Sequence, residues 1–318
     1  MLARTADNLY WLARYMERAD YLARIVNTTL RLAALPSANG GDRAEWESAL
    51  SSAGGLERFK EMHDAITPDK VIDFLVYDAN NPSSIVNCIE NGRFNARAVR
   101  TALTAETWDS INMGWLELKK LEQSRAGVRS DPQILGQLLD LAMKLSLDVD
   151  GSCYRTMLRN DAYWFGRLGL YLERADNTAR ILDVKYNLLL PDTEVVGGSL
   201  DYFQWTAILR AVSALTSYNW IYRDSVKPWL IADLLILRQE MPRSLISCYD
   251  NIQRFLDSIG RAYGRQGAAQ RHARNVLTRL ENTSMDQVFA TGLHEFITAF
   301  VDDNNRLGWE IAEQYLVN

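Results

Sequence analysis

The residues best placed to do chemistry are four carboxylates and four guanidinia in a motif that occurs twice. Glu-Arg-Ala-Asp-x-x-Ala-Arg fills residues 17–24 and again residues 173–180. On an α-helix Glu17, Asp20 and Arg24 fall at i, i+3 and i+7 and form one stripe, and Glu173, Asp176 and Arg180 repeat it. Asp20 and Asp176 each stand four residues before an arginine, in the order that favours a pair, while Arg18 and Arg174 point about 100° away from the stripe. Three roles fit such a set. The charges can be a buried ion-pair network locking two helices together, since buried charges must be paired. If the two copies meet, they can instead form a mixed-charge pocket, with arginines gripping phosphate or carboxylate and Glu17 and Glu173 doing acid/base work or holding Mg²⁺. The third role is a surface on which a partner docks.

A second candidate is basic. Arg254, Arg261, Arg265, Arg271, Arg274 and Arg279 are opposed only by Asp257, a local charge of +5 in a chain whose net charge is −5. Arg261, Arg265, Arg271 and Arg274 form the candidate anion patch; a solvated face is the alternative. Gly260, Gly264 and Gly267 lie among them but do not make a phosphate loop. Arg93, Arg97 and Arg100 share one helical face in the earlier part of the chain.

Other chemistries lack their residues. Cys88, Cys153 and Cys248 are too few and too scattered for a disulfide framework or a zinc ribbon, and read as packing residues. No serine or cysteine sits in a nucleophile motif. None of His63, His272 and His294 has a glutamate three residues before it, which excludes the di-iron bundle pattern, and no metal site is expected. The acidic balance and the spacing of Trp108, Trp115, Trp205, Trp220, Trp229 and Trp309, which suits cores and grooves, argue against nucleic acid. No apolar run reaches the 18 or so residues of a membrane span, and the first residues lack a secretory h-region. A soluble, reduced, cytoplasmic protein is expected, with self-association left open.

The elements that must carry these residues read as helices throughout. Leu9, Leu12, Met16, Ala19, Ala23, Val26, Leu30 and Ala33 alternate steps of three and four, a bundle-helix seam. Thr67-Pro68, Asn81-Pro82 and Asp131-Pro132 each place a capping side chain before a proline at a helix start. Strand signals are weak, and Asn91-Gly92 sits inside helical spacing. Loops are expected at residues 36–41, 79–82, 127–132, 191–198 and 264–267.

The motif doubling belongs to a longer repeat. Shifted by 156, residues 1–32 fall on 157–188 with 13 identities, among them Leu12/Leu168, Tyr15/Tyr171 and the whole charged set. Residues 71–91 fall on 231–251 at a shift of 160, matching Asp73/Asp233, Pro82/Pro242, Ser84/Ser244 and Cys88/Cys248. A unit of this length is too long for a solenoid repeat. The expectation is one all-α domain over residues 1–318, a helical bundle of two homologous halves (residues 1–150 and 151–318) around a pseudo-twofold.

The duplicated Glu-Arg-Ala-Asp helices, with Gly292-Leu293-His294-Glu295-Phe296 and Asn304-Asn305-Arg306-Leu307-Gly308, resemble the bacterial α-E domain family over essentially the whole chain. That family is a helical domain named for its Glu-Arg motif, whose gene typically sits beside one for a circularly permuted ATP-grasp protein and often one for a transglutaminase-like protease. The resemblance implies a role in ATP-dependent peptide-bond formation or peptide modification. Its motif residues carry over to Glu17, Arg18, Asp20, Arg24, Glu173, Arg174, Asp176 and Arg180.

The expected function is therefore an accessory, substrate-handling subunit of an ATP-grasp amide ligase. It would present a peptide or amino-acid acceptor, while ATP and Mg²⁺ belong to the ligase and this chain binds no cofactor. The alternatives are a stand-alone enzyme using Glu17 and Glu173 as a carboxylate pair, and a structural scaffold.

Overall fold

The computed structural model describes residues 1–34, 43–124, 131–188 and 199–317. Among them the chain forms fifteen α-helices and no strand, and no helix is long and apolar enough to cross a membrane.

Two long helices occupy the centre. No proline or glycine interrupts α1 (Ala3–Ala33), and its seam residues Leu9, Leu12, Met16, Ala19, Ala23 and Val26 are buried. So are Tyr10, Tyr21, Leu22 and Ile25 on its other faces, because α1 is wrapped rather than laid on a surface. Its chief neighbours are α5 (Ile85–Ala98), α7 (Pro132–Thr156) and α8 (Asp161–Leu188). The second central helix, α8, is wrapped in turn by α12 (Leu245–Tyr263) and α15 (Leu293–Tyr315). Outside these, α6 (Ala105–Ser124) covers α5 and α7, and α13 (Ala268–Glu281) covers α12 and α15. The shorter α2 (Arg43–Ser52) reaches across to α8, and α9 (Ser199–Ala211) reaches back to α1. Four short helices complete the chain: α3 (Leu56–Met62), α4 (Pro68–Ile72), α10 (Leu215–Tyr222) and α11 (Pro228–Ile236), with α14 (Met285–Thr291) before α15.

The contact between α1 and α8 is unusually close at one point. A methyl group placed on Gly169 would lie 2.2 Å from the Tyr10 carbonyl oxygen, so only glycine lets the two backbones approach there.

Helix starts follow the sequence in part. Pro132 opens α7, and the Asp131 carboxylate accepts from the Gln133 and Ile134 amides. Pro68 opens α4, although the Thr67 hydroxyl makes no cap bond. Asn81-Pro82 does not start a helix. Asn81 is buried and donates to the Phe74 carbonyl, and the helix begins three residues later at Ile85, capped by the Ser84 hydroxyl. Ser244 caps α12 in the same way through the Ser247 amide. The loop at 79–82 and the loop at 264–267 are present, the latter after Gly264 ends α12 in the left-handed conformation. The loops expected at 36–41 and 191–198, and residues 127–130, lie outside the described residues. Three of the six tryptophans assigned to cores and grooves are instead exposed: Trp220 (74%), Trp229 and Trp309.

Candidate functional site

The two Glu-Arg motifs meet across the α1–α8 contact, and they meet reciprocally. Arg18 donates from Nε and Nη2 to Glu173, at 2.5 and 3.0 Å. Arg174 donates from Nε and Nη2 to Glu17, at 3.0 and 2.9 Å. Each arginine that points away from its own stripe therefore reaches the other helix's glutamate. The guanidinium of Arg18 lies over the Tyr15 ring and that of Arg174 over the Tyr171 ring, again matching positions of the repeat.

Each glutamate holds a second arginine, from a different source. Glu173 accepts from Arg14 Nε at 2.7 Å, one turn earlier on α1. Glu17 accepts from Arg243 Nη1 at 2.6 Å, from the turn that precedes α12. Arg243 also donates from Nη2 to Asp20 Oδ2, at 2.9 Å. Within each helix the expected i, i+4 pairs form: Arg24 with Asp20 at 2.8 Å and Arg180 with Asp176 at 2.6 Å. Arg24 then reaches the Ser213 hydroxyl at 2.8 Å, while Arg180 lies against Gly54. Ser213 and Gly54 are both in the left-handed region of backbone space.

Two groups of charges result: Glu17, Asp20, Arg24, Arg174 and Arg243, joined through Arg243, and Glu173 with Arg14 and Arg18 beside the separate pair of Asp176 and Arg180. Each sets three guanidinia against two carboxylates and so carries a formal charge of +1. Burial alone would raise both glutamates, but Arg174 and Arg243 pull Glu17 down to about 2, and Arg18 with Arg14 does the same for Glu173. The two groups also differ at the aspartate. Both oxygens of Asp20 accept hydrogen bonds, whereas Asp176 Oδ1 is buried and has no donor. The reason lies in the repeat: where Arg243 reaches Asp20, the matching residue is Ser83, whose hydroxyl accepts from Arg18 instead.

Cys88 and Cys248 flank these groups from α5 and α12. Both are fully buried, and burial pushes their thiols up to about 12. Cys153 is likewise pushed up to about 11. Cys88 and Cys248 are packing residues of the core. Among the described residues no three His, Cys, Asp or Glu side chains gather as a metal site requires.

The predicted basic patch is not one site. Arg261 reaches the Ser258 hydroxyl, Arg265 the Gln314 carbonyl oxygen and Arg274 the Asp257 carboxylate. Arg254 bonds Asn251 and lies over Phe255. Arg271 and Arg279 share a cavity, which opens between α13 and α15 beside His272, Asp303, Arg306 and Glu310. In the earlier part of the chain Arg93 stacks on Trp115 at 3.7 Å and Arg100 on Trp108 at 4.9 Å.

Sequence reasoning missed Arg14 and Arg243. A partial signal for Arg243 was available, since it is a charge where its counterpart Ser83 has none, next to the identical pairs Pro82/Pro242 and Ser84/Ser244. The grouping of His272 with Asp303 and Glu310 had no local signal, because α13 and α15 are brought together only by the fold.

Comparison with known proteins gives one result. A family model named Alpha-E, described as a predicted alpha-helical domain with a conserved ER motif, matches residues 1–316. No curated protein and no solved structure matches the chain.

Proposed function

The chain belongs to the Alpha-E family, and from that premise we propose that it is the substrate-handling subunit of an ATP-grasp-dependent amide ligation or peptide-modification system. In this reading the ligase holds ATP and Mg²⁺, a transglutaminase-like protein is a further partner, and this chain presents a peptide or amino-acid acceptor. The chain is read as a duplicated helical unit, residues 1–150 and 151–318, with a pseudo-twofold between α1 and α8. The reciprocal Arg18–Glu173 and Arg174–Glu17 pairs support that relation.

One observation carries the reading: Asp176 Oδ1 is buried without a donor beside Arg180, which is 30% exposed. A buried carboxylate oxygen lacking a donor is costly unless something supplies one. An acceptor substrate brings both complements, an amine or amide N–H for Asp176 and a carboxylate for Arg180, whose group carries one positive charge in excess. Arg18, Arg24 and Arg174 hold carboxylates of the protein itself and act as the frame of this corner.

The carboxylate-pair enzyme fits less well. A general acid must hold a proton near working pH, and Glu17 and Glu173 each face two guanidinia that keep them ionised. Their oxygens are also occupied, which leaves little for a cation. The scaffold reading draws on the same ion pairs, so it is separated from the proposal by function rather than by geometry.

The test is gentle purification from the source cells with native mass spectrometry, followed by a reconstituted ligation assay. Co-elution with an ATP-grasp protein, and loss of ligation in Asp176→Asn or Arg180→Gln at unchanged melting temperature, is the expected result. Full ligation in both variants would leave the scaffold reading standing and remove this one.

A further inference from the structure

Outside the motif, α13 and α15 frame a polar cavity of about 370 Å³. From α13 it is lined by Arg271, His272 and Arg279, and from α15 by Asp303, Arg306 and Glu310. The His272 ring, largely buried, is fixed by Nδ1, which lies 3.0 Å from Glu310 Oε2. A carboxylate only accepts, so Nδ1 carries the proton there. That leaves Nε2 on the cavity side, 3.7 Å from Asp303 Oδ1 and beyond hydrogen-bond reach.

The charges do not cancel. Asp303 is taken by Arg279, and Glu310 by Arg306 Nε at 3.2 Å. Arg271 is exposed and bonds to no group of the protein among the described residues. Three guanidinia against two carboxylates leave a formal +1 on the wall, and the surplus is Arg271.

The geometry points to a second binding site, for a small oxyanion, a phosphate or a carboxylate group, held by Arg271 beside the His272 ring and framed by the Arg279–Asp303 and Arg306–Glu310 pairs. A guanidinium with no protein partner on a concave wall is the chemistry that grips such groups. The volume admits a small organic body on the anion. This site shares no residue with the Asp176 corner and stands whether or not the reading of that corner holds.

Titration calorimetry of the full chain with inorganic phosphate and, separately, with acetate tests it, alongside the His272 ring signals in a nuclear magnetic resonance titration. Saturable binding of either anion that moves the His272 signals is expected, and which anion binds names the source. Arg271→Gln should weaken binding about tenfold, and Arg265→Gln, outside the cavity, should leave it within about twofold. Arg271 has no partner to lose, so the melting temperature should hold in its variant. No saturable heat from either anion, or binding that Arg271→Gln leaves intact, would overturn the assignment.

Discussion

Arg243 gives Glu17 what Arg14 gives Glu173, a second guanidinium at 2.6 and 2.7 Å respectively. The two arginines are not equivalent in the repeat. Arg14 matches Leu170, and Arg243 matches Ser83. Each buried carboxylate holds two cations, and the second comes from a different element in each case. What the fold must preserve here is the charge count around a buried glutamate, and the position that supplies it is free to vary.

Moving that cation should therefore be tolerated. Arg14→Leu, which copies the other half's residue, leaves Glu173 one guanidinium short and should cost about 2–4 kcal/mol. Adding Ser83→Arg, which copies Arg243, should return more than half of the loss. Urea unfolding of the single and double variants reads both steps. A double variant as unstable as the single one would show that positions 83 and 243 are not interchangeable supports.

Acid should find the same carboxylates. Glu17 and Glu173 stay ionised in the folded chain down to about 2, while in the unfolded chain they protonate near 4.5. Between those values the unfolded state binds more protons, so stability is fully present above the unfolded value and falls as pH drops toward the folded one. The contribution is of order 3 kcal/mol per carboxylate. Urea midpoints should be flat from neutrality to about pH 5 and fall steeply below it. A flat midpoint through the acid range would mean that the four arginines do not hold these groups.

Much of this was legible in the sequence, for reasons that show where legibility ends. The all-helical fold followed from the seam of α1, whose spacing survives because no proline or glycine breaks it. The i, i+4 pairs Asp20–Arg24 and Asp176–Arg180 followed from helix geometry alone. Reading Arg18 and Arg174 as pointing away from the stripe was correct, but their partners lay on the other helix, and that distance is set by Gly169 meeting Tyr10. Asn81-Pro82 failed as a helix start because the Asn81 side chain is spent on the Phe74 carbonyl. The cavity at His272 depends on two helices 38 residues apart at their contact with Glu310, which no local pattern encodes.

Gly169 and Gly166 make a matched pair. A methyl group at 169 would meet backbone of α1 at 2.2 Å, and backbone cannot step aside. Gly169→Ala should cost about 3 kcal/mol and loosen the Arg18–Glu173 and Arg174–Glu17 pairs with it. At 166 the nearest atom is the Leu9 carbonyl oxygen at 3.9 Å, ordinary contact. Gly166→Ala should be neutral or gain about 0.5–1 kcal/mol from helix propensity. Equal melting temperatures for the two variants would contradict the close approach.

Thiol chemistry offers a probe of packing. With Cys88 and Cys248 pushed up to about 12 and buried, a disulfide reagent at pH 8 should label them only through unfolding. Cys153, pushed up to about 11 and only partly covered, should react first but still slowly. Prompt labelling of either buried thiol in the native chain would show that α5 or α12 opens readily away from the central helices.

The last comparison separates frame from site. Asp20 accepts from Arg24 and Arg243 on both oxygens, so Asp20→Asn strands two guanidinia beside Glu17 and should cost about 2–4 kcal/mol. Asp176 is bonded by Arg180 alone, a partly exposed partner, and its other oxygen already lacks a donor. Asp176→Asn should therefore cost about 1 kcal/mol or less. Two residues at one repeat position, each with one i, i+4 arginine, would then differ in stability through the presence of Arg243 and the deeper burial of the Asp20–Arg24 pair. Chemical denaturation of the two variants side by side decides it. Equal costs would mean that Asp176 is as much a part of the frame as Asp20, and the substrate corner would lose the observation on which it rests.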